Sequence, residues 1–345
     1  HLSMIALAII GVLMTISASM STNVISYDLA IQGLKQFGFV LIGYVAYLTF
    51  SKFIRIQSLN KLVLPIMLLS LFSLILPLMG TARNGAYAWI DLPGGITIQP
   101  SEFAKLVMIW VNVIFLGDVK DLGSAVVFMV IGVSTFLLAG HKKLKKLNTI
   151  VIILFILFMS LSPLLLSESG LAWIESTGLL KGYMLNRFKV AVNPFSDLYG
   201  SGYQLVNGLV AMVRGGLFGV GYGNGLQKYG YLPAAKTDYI LAVIGEEIGF
   251  FGIMIVFTLY FVLFYRLLKH SFRAKTEKNK MILFGVFIYL SIHFILNVGG
   301  VTGFIPLTGV PLLLLSAGGS STIAMMMACG MAQYAIVEES KKLDL

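Results

Sequence analysis

The chain is dominated by long, nearly uncharged runs. IVIILFILFMSL, within 149–166, is apolar on every side, and comparable runs fill 3–19, 36–52, 62–79, 103–117, 122–140, 239–267, 281–299 and 318–337. An α-helix needs about 20 apolar residues to cross a bilayer. The strict alternation of a barrel strand is absent. The fold class is therefore all-α, a polytopic membrane helix bundle. Composition agrees: hydrophobic residues make up 58% of the 345 and charged ones 12%, against about a quarter charged in a soluble domain. A soluble enzyme, a disordered tail, a disulfide scaffold and a nucleic-acid binder are excluded. The net charge of +10 collects in short runs between the apolar stretches, which is the habit of a membrane protein. Cys329, the one cysteine, forms no intrachain disulfide. The first apolar run is followed by further membrane segments rather than a cleavage site, so it is expected to be retained.

Lysine and arginine set the orientation. Lys52, Arg55 and Lys61 follow the second run; His141, Lys142, Lys143, Lys145 and Lys146 follow 122–140. Arg266, Lys269, Arg273, Lys275, Lys278 and Lys280 follow 239–267, and Lys341 and Lys342 follow the last. All four groups are expected in the cytoplasm. Parity then fails at one place. Segment 103–117 has to run inward, and 122–140 also ends at a basic run. Two consecutive helices cannot cross in the same direction, so a crossing is missing between Gly117 and Asp121. With a cytoplasmic loop and one more helix restored, ten transmembrane helices are expected and both termini are cytoplasmic.

Residues 1–345 are read as a single membrane domain, with a large outer loop at 167–238 before the eighth helix. Thr81–Ser101 is a second outer segment. Ordered loops longer than about 15 residues are usually functional. Gly182–Val192 in the large loop is amphipathic. The run GGLFGVGYGNG lacks a preceding strand and a GK[ST], so it is not a nucleotide loop. Its glycines are expected to let a loop or short helix pack closely on the bundle. NVGGVTGFIPLTGVPLLLLSAGGSS, beginning at Asn297, reads as broken helix at membrane depth, tolerated where it lines a cavity or is covered by protein. No internal repeat of the transporter kind is visible.

Acidic residues in or beside membrane segments are costly and usually functional. Glu102, Asp121, Asp238, Glu246 and Glu247 all fall near the outer ends of their helices. Each is open to two readings, a solvated interfacial anchor or part of a carboxylate cluster opening outward. Lys105 stands three residues after Glu102, on the same helix face, either as an ion pair or as a paired acid and cation at a polar cavity. Gln99-Pro100-Ser101-Glu102 looks like a helix start, with Pro100 in the first turn and Ser101 as the cap. His141 and His270 are expected to be solvated and His293 to be buried. No zinc spacing and no Ser-His-Asp or GxSxG arrangement is present.

Four passages together resemble one family: NGAYAWIDLPGGITIQPSEFAK (84–105), DLGSA (121–125), NPFSDLYGSGYQL through YLPAAKTDYILAVIGEEIG (193–249), and PLTGVPLLLLSAGGSS (306–321). They resemble the SEDS family of polytopic peptidoglycan polymerases, which includes FtsW and RodA, over nearly the whole chain. The family's ten helices match the parity count. Its DLG passage usually follows a further helix, whereas here Val119-Lys120 precedes Asp121. Ala88, Ala234 and Lys236 depart from the family's usual basic residue, Glu and His, so substrate contacts at those positions do not carry over. LLSAGGSS and KTDYILAVIGEE look more like FtsW of Gram-positive bacteria.

The resemblance implies lipid II as substrate and glycan polymerisation on the outer face of the cell membrane, in septal wall synthesis or, alternatively, in RodA-type elongation. It implies Asp238 as the catalytic base, taking the proton of the acceptor 4-hydroxyl in an inverting transfer. Substrate contacts are expected at Trp89, Gln99, Glu102, Lys105, Asp121 and Arg214, the last also readable as an interfacial anchor. A divalent cation, Mg²⁺ or Mn²⁺, is expected between the pyrophosphate and Asp238 or Glu102. The implied partners are a class B penicillin-binding protein, the transpeptidase, and other divisome or elongasome membrane proteins. Two surfaces rich in small residues are expected to receive a partner helix: Ala324–Ala335, and the helix carrying Gly245, Gly249 and Gly252. A lipid II flippase and a scaffold without chemistry are the other classes. The first predicts polar groups at inner membrane depth, and the second predicts indifference to loss of Asp238.

Overall fold

The computed structural model describes residues 1–20, 26–53, 62–80, 88–92, 96–117, 167–177, 183–200 and 202–341. The expected helices at 122–140 and 149–166, the missing crossing and Asp121 lie outside the described residues. The elements are α1 (Leu2–Ser19), α2 (Ser26–Leu48) with a π-helical end (Thr49–Phe53), α3 (Val63–Ile75), β1 (Ile90–Leu92), β2 (Ile96–Ile98) and α4 (Pro100–Gly117). They continue with α5 (Glu168–Thr177), α6 (Tyr183–Val192), α7 (Tyr203–Gly215), α8 (Ile240–Arg273), α9 (Glu277–Val301) and α10 (Gly319–Lys341). Among the described residues, five helices are long and apolar enough to cross a membrane: Leu2–Ser19, Leu29–Lys52, Ile240–Arg273, Glu277–Val301 and Gly319–Lys341. Leu34, Phe37, Leu41, Ile42 and Val45 on α2, and Leu64, Leu68, Leu69 and Phe72 on α3, are exposed. Such stripes have no place in water and suit lipid.

The chain divides into two compact units. One draws on His1–Leu34, Lys143–Tyr260 and Ile292–Ala317, the other on Lys35–Lys142, Phe261–Ser291 and Gly318–Leu345. In the second unit, α4 packs on α3 and α10. The short hairpin pairs Ile90 with Ile98 and Leu92 with Ile96, antiparallel. α4 begins at Pro100, so Ser101 is already helical and is not the cap that its sequence position promised. The Gln99 carbonyl instead accepts the Glu102 N–H at 3.1 Å. At the far end of α10, the Glu339 carboxylate accepts from the Lys275 and Thr276 N–H groups and from the Asn279 amide, closing the α8–α9 turn. Cys329 is buried and unpaired as a disulfide.

The first unit is organised around a break in α8. Gly249 has φ 75° inside an otherwise helical run, a left-handed conformation that glycine adopts at little cost. An unbroken helix would bond the N–H groups of residues 250 and 251 to the carbonyls of 246 and 247. Here Phe250 and Phe251 donate instead to Gly216 and Leu217, while the Glu246 and Glu247 carbonyls accept from Val220 and Gly221. The glycine-rich loop thus replaces two lost helical bonds with four of its own. A side chain at Gly215 would strike the Gly245 carbonyl, and one at Gly219 the Glu247 carbonyl. This is the close packing that the sequence suggested for GGLFGVGYGNG.

The same contacts correct the reading of α8 as a surface awaiting a partner. A Cβ at Gly249 would collide with the backbone of Leu217 and Gly219, and the position of one at Gly245 is crowded by Met212 and Ile253. The second expected surface fares likewise. Ala324, Ala328, Ala332 and Ala335 are buried, and Gly330 sits against Tyr47 and Phe50. At these positions the small residues serve packing within the chain, while Gly252 meets only Ile248 and Ile244 of its own helix.

The loop is fastened to α8 by charge. Glu247 and Lys228 form an ion pair at 2.6 Å with neither side chain exposed. The Ser17 hydroxyl of α1 donates to the same carboxylate at 2.6 Å and accepts from Lys228 at 2.9 Å. The Gly223 N–H donates to it as well. Next to it, the Glu246 carboxylate takes the Arg214 guanidinium at 2.5 Å and the Leu226 and Gln227 N–H groups. Removing one member of a buried pair strands the other, at a cost of about 3–5 kcal/mol. Lys228→Met is therefore expected to lower the melting temperature of the purified protein strongly. Lys228→Met with Glu247→Gln should recover most of the loss, because a neutral amide still accepts from Ser17 and Gly223. Thermal unfolding of the two variants in detergent checks this, and a double variant no better than the single would refute the pairing.

Candidate active site

Asp238 lies at the junction of the large loop and α8, and the chain holds it by its backbone. The Asn297 amide of α9 donates to the Asp238 carbonyl and to the Val310 carbonyl, each at 2.9 Å. On the preceding residues, the Ser316 hydroxyl donates to the Thr237 carbonyl at 2.6 Å, and the Ala317 N–H donates to the Lys236 carbonyl at 2.7 Å. The Ala234 carbonyl accepts from both Thr237 and Tyr239. The broken segment after α9 is thus covered by protein, and it braces the acid. It is itself held by the Tyr260 hydroxyl donating to the Leu313 carbonyl. Gly11 of α1 lies so close to the Leu314 carbonyl that no side chain would fit. Leu314 adopts φ 67°, a conformation that costs a branched residue energy and that these contacts hold in place.

Arg187 of α6 completes the surroundings of the carboxylate. A Cβ built on Gly309 would stand 3.6 Å from Asp238 Oδ2 and 3.7 Å from Arg187 Nη2, so the two groups converge on one glycine. Burial pushes the Asp238 carboxyl above the usual carboxylate range, and the Arg187 guanidinium and Thr237 hydroxyl bring it part of the way back. Behind them is a cavity of about 270 Å³, with Asn186, Arg187, Gln204 and Tyr239 as its polar lining. The Tyr239 ring lies on Gly208 of α7, where a Cβ would be 2.5 Å from it.

The other expected site residues are placed as follows. Glu102 and Lys105 do form an ion pair, at 2.8 Å, with Glu102 buried and Lys105 partly exposed. The second Glu102 oxygen accepts from the Tyr289 hydroxyl at 3.1 Å. Trp89 is half-buried just before β1. The Gln99 N–H donates to the Ser320 hydroxyl. Arg214 is taken up by Glu246. Glu246 and Glu247, open to readings as solvated interfacial anchors or as members of an outward carboxylate cluster, are instead buried fasteners of the loop. Among the described residues, no three His, Cys, Asp or Glu side chains come together as a metal site. Arg187, Asn297, Tyr239 and Gln204 were not singled out from the sequence; Arg187 and Asn297 are ordinary helix residues whose neighbours at the site lie far along the chain.

The fold and this arrangement define a multi-pass membrane protein with a braced, partly buried acid beside a guanidinium and a cavity. The profile of the FtsW/RodA/SpoVE family, described as cell cycle protein, matches residues 1–118 and 107–341, and the chain belongs to that family. It is 32% identical over 363 residues to the probable peptidoglycan glycosyltransferase FtsW of Enterococcus hirae, covering 95% of this chain and 89% of the relative. It is 34% identical to the stage V sporulation protein E of Bacillus subtilis, covering 79% and 77%. Among solved structures, a chain of a peptidoglycan synthase complex that coordinates polymerization and crosslinking matches with a TM-score of 0.70, at 20% identity, over 98% of both chains. The rod-shape-determining protein RodA of Thermus thermophilus matches with a TM-score of 0.58 at 23% identity, over 98% of this chain and 95% of that one. The fold is shared with both.

Because the folded chain favours the protonated acid, Asp238 adds stability that is present below the ordinary carboxylate pKa and lost as pH rises through its raised value. Asp238→Asn should therefore melt no lower than the wild type at neutral pH. The resemblance implies that Asp238 acts as a base, which has to be ionised, and on that expectation the acid limb of the activity profile lies above the usual carboxylate range. Arg187→Gln removes the stabilising cation and should move that limb to higher pH. Melting curves and a pH–rate series check both; an unmoved limb would separate Arg187 from Asp238.

Proposed function

We propose that this chain is a peptidoglycan glycosyltransferase that polymerises lipid II into glycan strands during septal wall synthesis. The observation that carries the reading is Asp238, held at its backbone from two sides, beside Arg187, next to a cavity of about 270 Å³. The relatives named FtsW, 30–33% identical over more than nine-tenths of the chain, support the septal assignment. The Asp238 carboxylate takes the proton of the acceptor 4-hydroxyl as that oxygen attacks the anomeric carbon of the donor. The bond to the lipid pyrophosphate breaks, and the pyrophosphate leaves with the electron pair. A base so placed supplies roughly 10²–10⁴-fold. Arg187 offsets part of the effect of burial and so favours the ionised acid.

A divalent cation fits this site only as one carried in by the pyrophosphate. The described residues offer no cage, Asp238 already faces a guanidinium, and the Glu102 oxygens are engaged by Lys105 and Tyr289. Mg²⁺ commonly binds through one or two carboxylates plus substrate phosphates, and that is the role left to it. The solved peptidoglycan synthase complex supports a class B penicillin-binding protein as partner, supplying the cross-linking step that the transferase chemistry lacks.

The topology proposed with this function has both termini in the cytoplasm and Asp238 on the outer side. Two features support a missing crossing at 117–121. The family matches divide near residue 118. The alignment to the Enterococcus relative runs over 363 residues, more than the chain's 345, so that relative carries aligned-span residues absent here. In a Cys329→Ser background, a cysteine near Asp121 should react with an impermeant thiol reagent from outside, and one near Lys143 only after the membrane is opened. Reaction of both from the same side would break the ten-helix scheme.

The polymerase reading is tested with purified protein and labelled lipid II. Polymer is expected on gels from the wild type and none from Asp238→Ala or Asp238→Asn at equal expression. Wild-type polymer from either variant would overturn it.

A further inference from the structure

The cavity beside Asp238 contains two polar atoms with nothing to bond. Gln204 Nε2 and Tyr239 Oη are buried without a hydrogen-bond partner among the described residues, and both residues line the cavity. Tyr239 is wholly buried. Neither side chain is there for want of space elsewhere. The Tyr239 ring occupies the slot left by Gly208, and Gln204 stands one helical turn before that glycine on the same face of α7. Orphaned buried donors are costly, and few remain in a native fold without a reason.

Asn186 and Arg187 add an amide and the guanidinium that faces Asp238, and the rest of the wall is aliphatic, formed by Val190, Ala191, Leu205, Ile305 and Leu307. A ligand suited to this lining needs a carbonyl-type acceptor for an amide N–H and a phenol O–H, and a small apolar group for the aliphatic wall. A pyrophosphate does not meet that description, because it would set two or more charges against a single guanidinium, which already faces Asp238, and five aliphatic side chains. A bare sugar hydroxyl would leave the apolar space empty. An acetamido group has the acceptor and the methyl in one short unit.

We propose that the cavity receives the 2-acetamido group of the acceptor sugar, its carbonyl accepting from Gln204 and Tyr239 and its methyl lying against Val190, Leu205 and Leu307. This rests on the polymerase reading and deepens it. The acceptor is the sugar whose 4-hydroxyl meets Asp238, and Tyr239 is the next residue. On a hexopyranose ring, C2 and C4 flank C3, so the 2-substituent and the 4-hydroxyl leave the same edge and one ring addresses both groups. The cavity thereby selects the sugar and aims its hydroxyl at the base.

The test uses the purified full chain with lipid II and with an analogue whose terminal hexosamine carries a hydroxyl in place of the acetamido group. A site built to hydrogen-bond a substrate group discriminates strongly against its absence. The wild type should prefer lipid II by about 100-fold or more in kcat/KM. Tyr239→Phe and Gln204→Leu should each lose about 10–100-fold on lipid II, mainly through KM, and little on the analogue, so that the preference shrinks. The acid limb of the pH profile should stay in place in Gln204→Leu. Equal use of both substrates by the wild type would overturn the proposal. So would variants with full activity on lipid II, as expected of a cavity that holds only water, or variants that lose both substrates alike. No polymer at all from the wild type would sink the polymerase reading, and this one with it.

Discussion

The Glu247 carboxylate has no access to water, and the loop that leads to Asp238 is built to satisfy it. An isolated charge at such a place would be far too costly to keep. Lys228, Ser17 and the Gly223 N–H each answer part of that demand, from the loop and from α1. Through this one group, the first helix of the chain, the glycine-rich loop and the start of α8 are held together. Glu246 repeats the device with Arg214 and two more loop N–H groups. With the loop fixed at both carboxylates, residues 236–238 have one course to follow, and the segment after α9 meets them there.

That segment illustrates what a membrane imposes on irregular backbone. Its carbonyls and N–H groups have no water to fall back on at depth, so side chains answer them. Asn297 serves two carbonyls at once, Tyr260 a third, and Ser316 both donates and accepts. Reciprocity is the physical point. The groups that make the broken segment tolerable are the same groups that fix the backbone of the acid. Asp238 is therefore oriented by bonds that the fold requires in any case.

Much of this was legible in the sequence, for identifiable reasons. The long apolar runs gave the class, and the spacing of Glu102 and Lys105 gave their pairing, since residues three apart on a helix are neighbours whatever surrounds them. The glycine-rich run announced close packing. Asp238 emerged through the T-D passage and the family resemblance. What was hidden depended on distant partners. Glu246 and Glu247 read as an outward cluster because nothing in GEE reveals that Arg214 and Lys228, some twenty to thirty residues earlier, return to meet them. Arg187, Asn297 and Gln204 carried no local signal. The small residues of α8 and α10 looked like surfaces for another helix, because a glycine packed on its own chain and one packed on a partner are the same letter. Ser101 was misplaced as the cap by two positions, within the ordinary scatter of helix ends.

The break at Gly249 has a consequence for the length of the chain around it. Residues 216, 217, 220 and 221 bond to residues 250, 251, 246 and 247 in that order, so the loop stands in for one turn of α8 and inherits the pitch of a helix. Surface loops commonly accept an added or deleted residue, since their ends are free to adjust. This one is gauged at both ends by the turn it replaces. A single insertion between Gly216 and Gly221 would slip its N–H groups and carbonyls out of phase with the helix, leaving the two carboxylates behind it to be matched anew. Across related chains, this stretch should keep its glycine at 219, vary in letters at 217, 218 and 220, and hold its length.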